Sequence, residues 1–439
     1  MADRLRLHAS PSSALVDSPL DVRVTGSRSG ARVTVRACVD DRERGRWRSE
    51  AVYEADGDGV VNVATARPVS GGCATAAEDR PVAVKQAGAL GLLWSLERDP
   101  GSAPALGFAG PSVPFDVELS ATADGASSEG CRIQRCFIGP GLAREPVHEA
   151  GLVGAFFSSA DETPRPGVLV VGGSDGGLNE GQAALLASHG FAALALAYFR
   201  AEGLPPELVE IPLEYFETAI RWLRNRRGVA AGGLGVVGRS RGGELALLLA
   251  ATLSEITAVV GYVPSGVVHA GILAPAGSSE ARSAWTHRGR PLPFVSPPAV
   301  AVPTASDVDA PIELTPMFLK SLEDRAAVEA AAIPVERING SVLLISGEDD
   351  RLWPSPILAE IAVARFAAHR HPHPVTHLRY AGAGHSIGPN GLPTTANTIV
   401  HPVRRRAMAL GGTPAANAAA AADSWPRVLQ FLRTALAGS

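Results

Sequence analysis

The spacing of apolar residues changes about one third of the way along the chain. Between residues 5 and 137, short segments alternate apolar and polar side chains, and clusters of Gly, Asp and Pro separate them. This two-residue period with β-branched residues is typical of antiparallel strands that bury one face. Four such segments are LDVRVTG, ARVTVRACV, VVNVATA and PFDVELSA. Residues 1–138 are therefore predicted to form an all-β sandwich of immunoglobulin-like character.

From residue 139 onward, apolar strands alternate with helical patterns. Residues 167–172 and 191–197 contain no polar side chain, as expected for strands that helices cover on both faces. Further strands are predicted at 234–237, 259–263, 341–345 and 375–380, and helices at 180–189, 208–226 and 424–436. This alternation predicts a doubly wound, mostly parallel sheet with right-handed crossovers over residues 139–439.

Two stretches interrupt this alternation. Residues 264–339 separate two predicted core strands and begin with a segment rich in Pro, Gly, Ala and Ser. An insertion of this length is typical of a lid or substrate loop. Residues 415–423, AANAAAAAD, have low complexity and are expected to form a surface loop that leads into the last helix.

The stretch LGVVGRSRGGELALLLA carries the clearest chemistry. Gly238, Ser240 and Gly242 form a G-x-S-x-G motif between a predicted strand and a predicted helix, the setting of a nucleophile elbow. Such a turn strains the backbone of the serine and projects its hydroxyl from the sheet. A glycine-rich turn with an N-cap serine is the alternative. The context favours Ser240 as a nucleophile and the backbone N–H of Arg241 as an oxyanion donor.

A serine nucleophile requires a base, and the base requires a carboxylate that orients it. On a sheet of this type both follow later strands, in the chain order Ser, acid, His. His385, in the small-residue loop AGAGHS, is the predicted base. The strand SVLLI is followed by Glu348, Asp349 and Asp350. We assign Asp350, three residues after the glycine of this turn, as the acid and keep Asp349 as the alternative.

The loop after the first apolar strand of this region is expected to complete an oxyanion hole. Residues 173–177, GSDGG, place several backbone amides in succession. The N–H of Ser174 or Asp175 is the predicted second donor, beside that of Arg241.

Composition and charge exclude some classes of binding partner. The chain has 439 residues, of which 46% are hydrophobic and 19% charged, and its formal net charge is −4. This balance argues against a partner that is nucleic acid or an anionic membrane. The four cysteines lack metal-ligand spacing, so we expect reduced thiols and no bound metal. The N-terminus has no signal-peptide pattern and no apolar run reaches membrane-spanning length, which predicts a cytoplasmic protein.

Extended blocks resemble the type I acyl-CoA thioesterase and bile acid-CoA:amino acid N-acyltransferase family. They include RPGVLVVGGSDGGLNEGQAALLASHGFAALALAYF, GVVGRSRGGELAL, IPVERINGSVLLISGEDDRLWPS and YAGAGHSIGPNGLP, and the resemblance covers nearly the whole chain. It implies an N-terminal immunoglobulin-like domain and a C-terminal α/β-hydrolase domain, with Ser240, Asp350 and His385 as a catalytic triad.

The resemblance also bears on the reaction. Family members that transfer acyl groups to amino acids typically carry cysteine at the nucleophile position, whereas this chain has Ser240. An acyl-serine ester is less selective for amines over water than an acyl-cysteine thioester, which favours hydrolysis. We therefore expect a serine-dependent thioesterase that acts on an acyl-CoA or acyl-carrier thioester and needs no cofactor.

Three other functions stay open at this point. The protein could transfer the acyl group to an amine or alcohol, or it could be an oxygen-ester hydrolase of the dienelactone-hydrolase type. It could also be a binding module that kept a hydrolase scaffold without its activity. The sequence does not indicate the acyl chain or the oligomeric state.

Overall fold

The computed structural model describes residues 4–41, 45–73, 88–99, 113–274, 280–298 and 311–437. It divides into two compact units. The first comprises Met1–Gly139, Gly388–Asn397 and Thr413–Trp425, and the second comprises Pro140–Ile387, Thr398–Gly412 and Pro426–Ser439. The last two segments of the first unit lie within residues 139–439, which the sequence predicts to form the α/β domain.

The N-terminal part of the first unit is built from short strands. In chain order they are β1 (Arg6–Ser10), β2 (Ser13–Leu15), β3 (Asp21–Thr25), β4 (Arg32–Asp41), β5 (Gly45–Glu54), β6 (Val61–Asn62), β7 (Pro68–Gly71), β8 (Glu97–Arg98), β9 (Phe115–Ala123), β10 (Ala126–Ser127) and β11 (Cys131–Cys136). A short helix, α1 (Gly91–Trp94), precedes β8. One sheet has the order β1-β3-β6, and the other has β2-β11-β9-β4-β5-β7 as its main path.

Period-two alternation explains how these strands form a core. In β9, Phe115, Val117, Leu119 and Ala121 are buried, and the residues between them are more exposed. The predicted all-β region is therefore confirmed. The segment VVNVATA departs from the prediction, because only β6 is a strand there. The side chain of Asn62 accepts a hydrogen bond from the amide of Ala64 at 3.0 Å, and such a local bond competes with strand pairing.

The second unit alternates strands and helices. Its strands are β12 (Leu142–Val147), β13 (Val153–Ser159), β14 (Gly167–Val171), β15 (Ala192–Ala197), β16 (Ile211–Pro212), β17 (Leu234–Arg239), β18 (Ile256–Tyr262), β19 (Trp285–His287), β20 (Arg290–Pro291), β21 (Ser341–Gly347), β22 (Val375–Tyr380), β23 (Thr398–Val400) and β24 (Ala407–Ala409). The helices that follow α1 in the chain are α2 (Glu180–Ser188), α3 (Leu213–Arg224), α4 (Arg241–Thr252), α5 (Thr315–Ser321), α6 (Arg325–Ala331), α7 (Ser355–Ala368) and α8 (Pro414–Leu436).

The main sheet of this unit has the order β12-β13-β15-β14-β17-β18-β21-β22. The pairs β12–β13 and β13–β15 are antiparallel, and every later pair along this path is parallel. All residues of β14 and β15 are buried, because helices cover both faces. The predicted doubly wound, mostly parallel sheet is confirmed. This order brings the turns after β17, β21 and β22 to the same edge.

The insertion at 264–339 contains secondary structure. Its strands β19 and β20 join β16 in a small sheet, and α5 and α6 lie further along. Trp285 is fully buried, and Val267 and Val295 form an apolar cluster with Trp353. The described part of the insertion therefore has its own core contacts. Its action as a lid stays a prediction.

The expectation of a surface loop at residues 415–423 is wrong, because this run is helical and belongs to α8. Alanine is the residue that favours the helix most. The hydroxyl of Thr413 accepts a hydrogen bond from the amide of Ala416 at 3.2 Å, as an N-cap does. Ala418 and Ala420 are buried. Within the described part of the chain, no helix combines the length and apolar character that a membrane span requires.

A charge placed on the buried face of this alanine run is expected to destabilise the first unit. Ala420→Glu buries a carboxylate where the side chain is fully inaccessible, and we expect the free energy of unfolding to fall by at least about 2 kcal/mol. Ala422→Glu, at a half-buried position of the same helix, is the matched control and should cost clearly less. Urea unfolding followed by circular dichroism measures both. Equal losses would contradict the helical assignment.

Candidate active site

Ser240 occupies the turn between β17 and α4 in a strained backbone conformation. Its φ and ψ angles are 56° and −120°, in a region that residues with a Cβ rarely adopt. Its amide donates to the carbonyl of Tyr262 at 2.8 Å, and its carbonyl accepts from the amides of Gly243 and Glu244 at 2.8 and 3.0 Å. These hydrogen bonds hold the turn in place. The G-x-S-x-G motif thus has the strand–turn–helix setting of a nucleophile elbow.

Both glycines of the motif are required by close approach of the backbone. A Cβ on Gly238 would lie 1.9 Å from the carbonyl oxygen of Gly242, and a Cβ on Gly242 would lie 2.2 Å from that of Gly172. A Cβ on Gly173 would lie 3.3 Å from the Cβ of Ser240. The loop that follows β14 therefore runs directly beside the serine.

His385 and Asp350 are in hydrogen-bond contact in the turns that follow β22 and β21. Nδ1 of the imidazole lies 2.9 Å from Oδ2 of the carboxylate. The other carboxylate oxygen, Oδ1, accepts the backbone N–H groups of Leu352 and Trp353 at 3.0 and 3.2 Å. Both side chains are almost fully buried. Three hydrogen bonds therefore fix the carboxylate, and the carboxylate orients the imidazole.

Asp349, the alternative acid, has different contacts. Its Oδ1 lies 3.2 Å from Nε of Arg351, and its Oδ2 accepts from the amide of Gly412 at 3.0 Å. Its side chain is 41% exposed. Of the two aspartates considered, Asp350 is the one that contacts His385.

The histidine turn is tied to the elbow by Arg239, whose Nη2 donates to the carbonyl of His385 at 3.1 Å. Within the described residues, no hydrogen bond joins Oγ of Ser240 to the His385 ring. The described residues therefore include the hydrogen bond between Asp350 and His385, but not one between Ser240 and His385. Catalytic hydrogen bonds are often long in the absence of substrate.

The amides predicted for the oxyanion hole belong to two segments that contact each other. Arg241 is the first residue of α4, so its N–H has no acceptor within the helix. In the described part of the chain, the amides of Ser174 and Asp175 donate no hydrogen bond. The hydroxyl of Tyr198 donates to the carbonyl of Gly172 at 2.8 Å and anchors the loop. Among the described residues, all three N–H groups are thus without an acceptor, and their role as oxyanion donors stays a prediction.

A buried polar cluster adjoins the elbow and was not predicted. Glu244, which is fully buried, accepts from Nη1 of Arg241 at 2.8 Å and from Nε1 of Trp285 at 2.7 Å. Nδ1 of His269 lies 3.1 Å from the same carboxylate. We call these four residues the Glu244 cluster. The sequence carries one signal for this cluster, an acid within the apolar segment GGELALLLAA. A buried acid almost always has a charged or hydrogen-bonding partner.

His401 contacts the predicted oxyanion loop. Its Nδ1 accepts the amides of Val403 and Arg404, each at 3.2 Å, so the neutral ring carries its proton on Nε2. That nitrogen donates to the hydroxyl of Ser174 at 3.1 Å. Burial, together with the positive charges of Arg404 and Arg200, lowers the pKa of His401 to about 4. The ring is therefore neutral at physiological pH.

Two family models match the chain. "Acyl-CoA thioester hydrolase/BAAT N-terminal region" matches residues 17–149, and "BAAT / Acyl-CoA thioester hydrolase C terminal" matches residues 211–438. The chain belongs to the acyl-CoA thioester hydrolase/BAAT family. The resemblance drawn from the sequence blocks is therefore confirmed.

Relatives in this family match along nearly the full chain. "Acyl-coenzyme A amino acid N-acyltransferase 1" of Mus musculus is 31% identical over 438 residues, which cover 98% of this chain and 97% of the relative. "Acyl-coenzyme A thioesterase 6" of Homo sapiens is 31% identical and covers 96% and 94%. "Acyl-coenzyme A thioesterase 2, mitochondrial" of Mus musculus is 31% identical and covers 96% and 87%. The names of these relatives thus include both thioesterases and a transferase.

The neutral state of His401 predicts a pH dependence of stability. In the unfolded chain a histidine takes up a proton below about pH 6.5, whereas folded His401 does so only near pH 4. Between these values the unfolded state binds more protons, so stability falls as the pH falls, by up to about 3 kcal/mol. His401→Asn removes this contribution. Urea unfolding between pH 4 and 7 should show a shallower decline for the variant.

The matched control for this measurement is His148→Asn, at an exposed position of the same unit. His269 and His377, whose pKa values burial also lowers, remain in the His401 variant, so its decline should be reduced and not abolished. An unchanged slope in His401→Asn would contradict the buried neutral assignment.

Proposed function

We propose that this protein is a serine-dependent acyl-CoA thioesterase, which hydrolyses an acyl thioester to a free acid and coenzyme A through an acyl-serine intermediate. The observation that carries the proposal is the strained Ser240, with φ of 56°, at the start of α4 in a chain of this family. A non-glycine residue held in this backbone region requires support from its surroundings and marks functional sites.

In the proposed reaction, His385 takes the proton of the Ser240 hydroxyl, and the oxygen attacks the thioester carbonyl. Asp350 holds the imidazole by Nδ1 and stabilises the imidazolium that forms. The sulfur–carbon bond then breaks, and His385 returns its proton to the departing thiolate. A water molecule, deprotonated by the same imidazole, then attacks the carbonyl of the acyl-serine ester. The ester C–O bond breaks, His385 returns the proton to Oγ of Ser240, and the carboxylic acid is released.

The tetrahedral intermediates would be stabilised by backbone amides and by the N-terminus of α4. The N–H of Arg241 is one proposed donor, and that of Ser174 or Asp175 is the second. The positive end of the α4 dipole adds to their effect. No step of this mechanism uses a metal or a redox cofactor.

Hydrolysis is favoured over acyl transfer for this chain because its proposed nucleophile is a serine. Water competes better for an acyl-serine ester than for an acyl-cysteine thioester. Both reactions start from the same acyl-enzyme, so the identity of the acceptor separates them. The acyl carrier, coenzyme A or a carrier protein, and the cytoplasmic location stay predictions.

Removal of the nucleophile tests the mechanism directly. Ser240→Ala should lower kcat for acyl-CoA hydrolysis by about four orders of magnitude or more, because the members of a triad act as a unit. Mass spectrometry of the wild type with acyl-CoA should show the acyl group on the peptide that contains Ser240. A loss below about tenfold in a folded variant, or an acyl group on another residue, would overturn the assignment.

The two adjacent aspartates offer a matched pair for the acid. Asp350→Asn should lower kcat by about 10³- to 10⁴-fold, because an amide cannot hold the imidazole in the productive tautomer. Asp349→Asn, which alters the neighbouring exposed carboxylate, should change kcat by less than about tenfold. Thiol release from acyl-CoA, detected with a thiol reagent, gives both rates. The reverse order would favour Asp349 as the acid.

A further inference from the structure

The turn that carries His401 also carries an arginine whose side chain has no partner. The backbone amide of Arg404 donates to Nδ1 of His401 at 3.2 Å. Its guanidinium makes no hydrogen bond and no ion pair with any residue that the structure describes. Arg404 is nevertheless half-buried. An arginine partly removed from water is normally paired with a carboxylate or another acceptor, so this one requires an explanation.

The guanidinium of Arg404 is accessible to a ligand from solvent. Its nitrogens have no partner in the described part of the chain, and none of them is among the atoms that are fully buried without one. Each nitrogen therefore has surface that solvent can reach. The predicted oxyanion loop beside His401 is open as well, since Ser174 is half-buried and Asp175 is exposed. A bound group thus has room at this position, unlike at the enclosed Nε of Arg241.

The charge around this side chain is positive. Burial and the positive charge of Arg241 lower the pKa of Arg404, and no carboxylate among the described residues opposes this effect. Glu244, which lies beside Arg241, is already paired with it at 2.8 Å. The charges of Arg404 and Arg200 both act on the neutral ring of His401. Cations that the protein leaves without a counter-charge attract an anion.

Two contacts place Arg404 near the proposed nucleophile. His401, in the same turn, donates to the hydroxyl of Ser174 at 3.1 Å, and the loop of Ser174 runs beside Ser240. On the other side, the charge of Arg404 interacts with that of Arg241, the residue that follows Ser240. A group on a substrate held at Ser240 can therefore reach the guanidinium.

An acyl-CoA thioester can bring an anionic group from two sources. The phosphates of coenzyme A are separated from the thioester by the whole pantetheine arm, whereas a carboxylate on a short acyl chain lies only a few bonds away. The position of Arg404 beside the predicted oxyanion loop favours the second source. A guanidinium also binds a carboxylate through two parallel hydrogen bonds. The acceptor in the proposed hydrolysis is water, which adds no charge.

We propose that Arg404 binds a carboxylate at the far end of the substrate's acyl chain. The protein would then prefer monothioesters of dicarboxylic acids over acyl thioesters with an uncharged chain. This inference rests on the proposed thioesterase function and names its substrate class. Arg404 is a specificity residue here, because an uncharged chain leaves its donors unpaired and is bound less well in the transition state.

The test compares coenzyme A monothioesters of dicarboxylic acids of increasing length with acyl-CoAs that have the same number of carbon atoms and end in a methyl group. The readout is the ratio of kcat/KM, carboxylated over uncharged, after subtraction of the uncatalysed rate. We expect the wild type to prefer at least one carboxylated substrate by about tenfold or more. In Arg404→Gln this ratio should fall close to one. Arg404→Lys, which keeps the charge without the bidentate geometry, should keep part of the preference.

Arg405→Gln is the matched control, because it removes the same charge from the next residue of the turn, which is exposed. It should keep the wild-type ratio. Substitution of the Arg404 side chain leaves the backbone amide that bonds His401 in place. Thermal unfolding checks that each variant is folded. If Arg404→Gln does not fold, the wild-type ratio and that of Arg404→Lys decide.

The same acyl groups on N-acetylcysteamine, which has the thiol but no phosphate, separate the two sources of charge. If Arg404 binds the acyl carboxylate, the wild-type preference and its loss in Arg404→Gln should persist on these substrates. A loss of kcat/KM that is confined to coenzyme A thioesters and equal for both kinds of acyl chain would assign Arg404 to a phosphate and overturn the proposal.

The remaining outcomes distinguish this inference from the proposed function. Hydrolysis without preference for any carboxylated chain, or an unchanged ratio in folded Arg404→Gln, overturns the role of Arg404 and leaves the thioesterase function standing. An arginine that is only solvated, or that supports the oxyanion by its charge alone, would give this result. Failure to hydrolyse any of the thioesters overturns the proposed function, and the inference falls with it.

Discussion

The site depends on how closely three stretches of backbone approach one another at the carboxyl end of β17. Gly238, Gly242 and Gly172 approach so closely that a methyl group on Gly238 or Gly242 would collide with a carbonyl oxygen. This contact fixes the turn, and the turn forces Ser240 to a positive φ. The strained conformation is held by the hydrogen bond that the amide of Ser240 donates to strand β18 and by those that its carbonyl accepts from helix α4. The same contact brings the loop after β14 beside the serine, so one packing constraint positions both the proposed nucleophile and the proposed oxyanion donors.

The buried carboxylate of Glu244 lies within one helical turn of Ser240 and Gly242. Glu244 would destabilise α4 if it were unpaired, because the desolvation of an isolated carboxylate costs several kcal/mol. Arg241, three residues earlier, neutralises it, and Trp285 and His269 complete its hydrogen bonds. Trp285 and His269 come from the insertion, so the cluster connects α4 to a segment outside the regular alternation of strands and helices. A hydrophobic residue at position 244 could not make this connection.

The elements with strong local signals could be predicted from the sequence. The spacing of hydrophobic residues predicts the parallel strands, and the placement of glycines predicts the elbow and the turns that carry Asp350 and His385. Both signals extend over only a few residues. Low complexity predicts a loop at 415–423, but alanine favours helix, and the structure has a helix there. The Glu244 cluster could not be derived, because His269 and Trp285 lie 25 and 41 residues from Glu244 in an aperiodic segment. Tertiary packing determines which residues at such sequence distances become partners, so the local sequence pattern does not predict them.

Among the described residues of the second unit, His385 and His269 each bond a buried carboxylate through Nδ1, and their surroundings give them different chemistry. The carboxylate of Asp350 is hydrogen-bonded by backbone amides and His385, and Arg239 interacts with it through charge alone. It can therefore stabilise an imidazolium on His385, as a general base requires. The carboxylate of Glu244 is already neutralised by Arg241, which also opposes a positive charge on His269. Proton transfer is therefore suited to His385, whereas His269 remains neutral and completes the hydrogen bonds of Glu244.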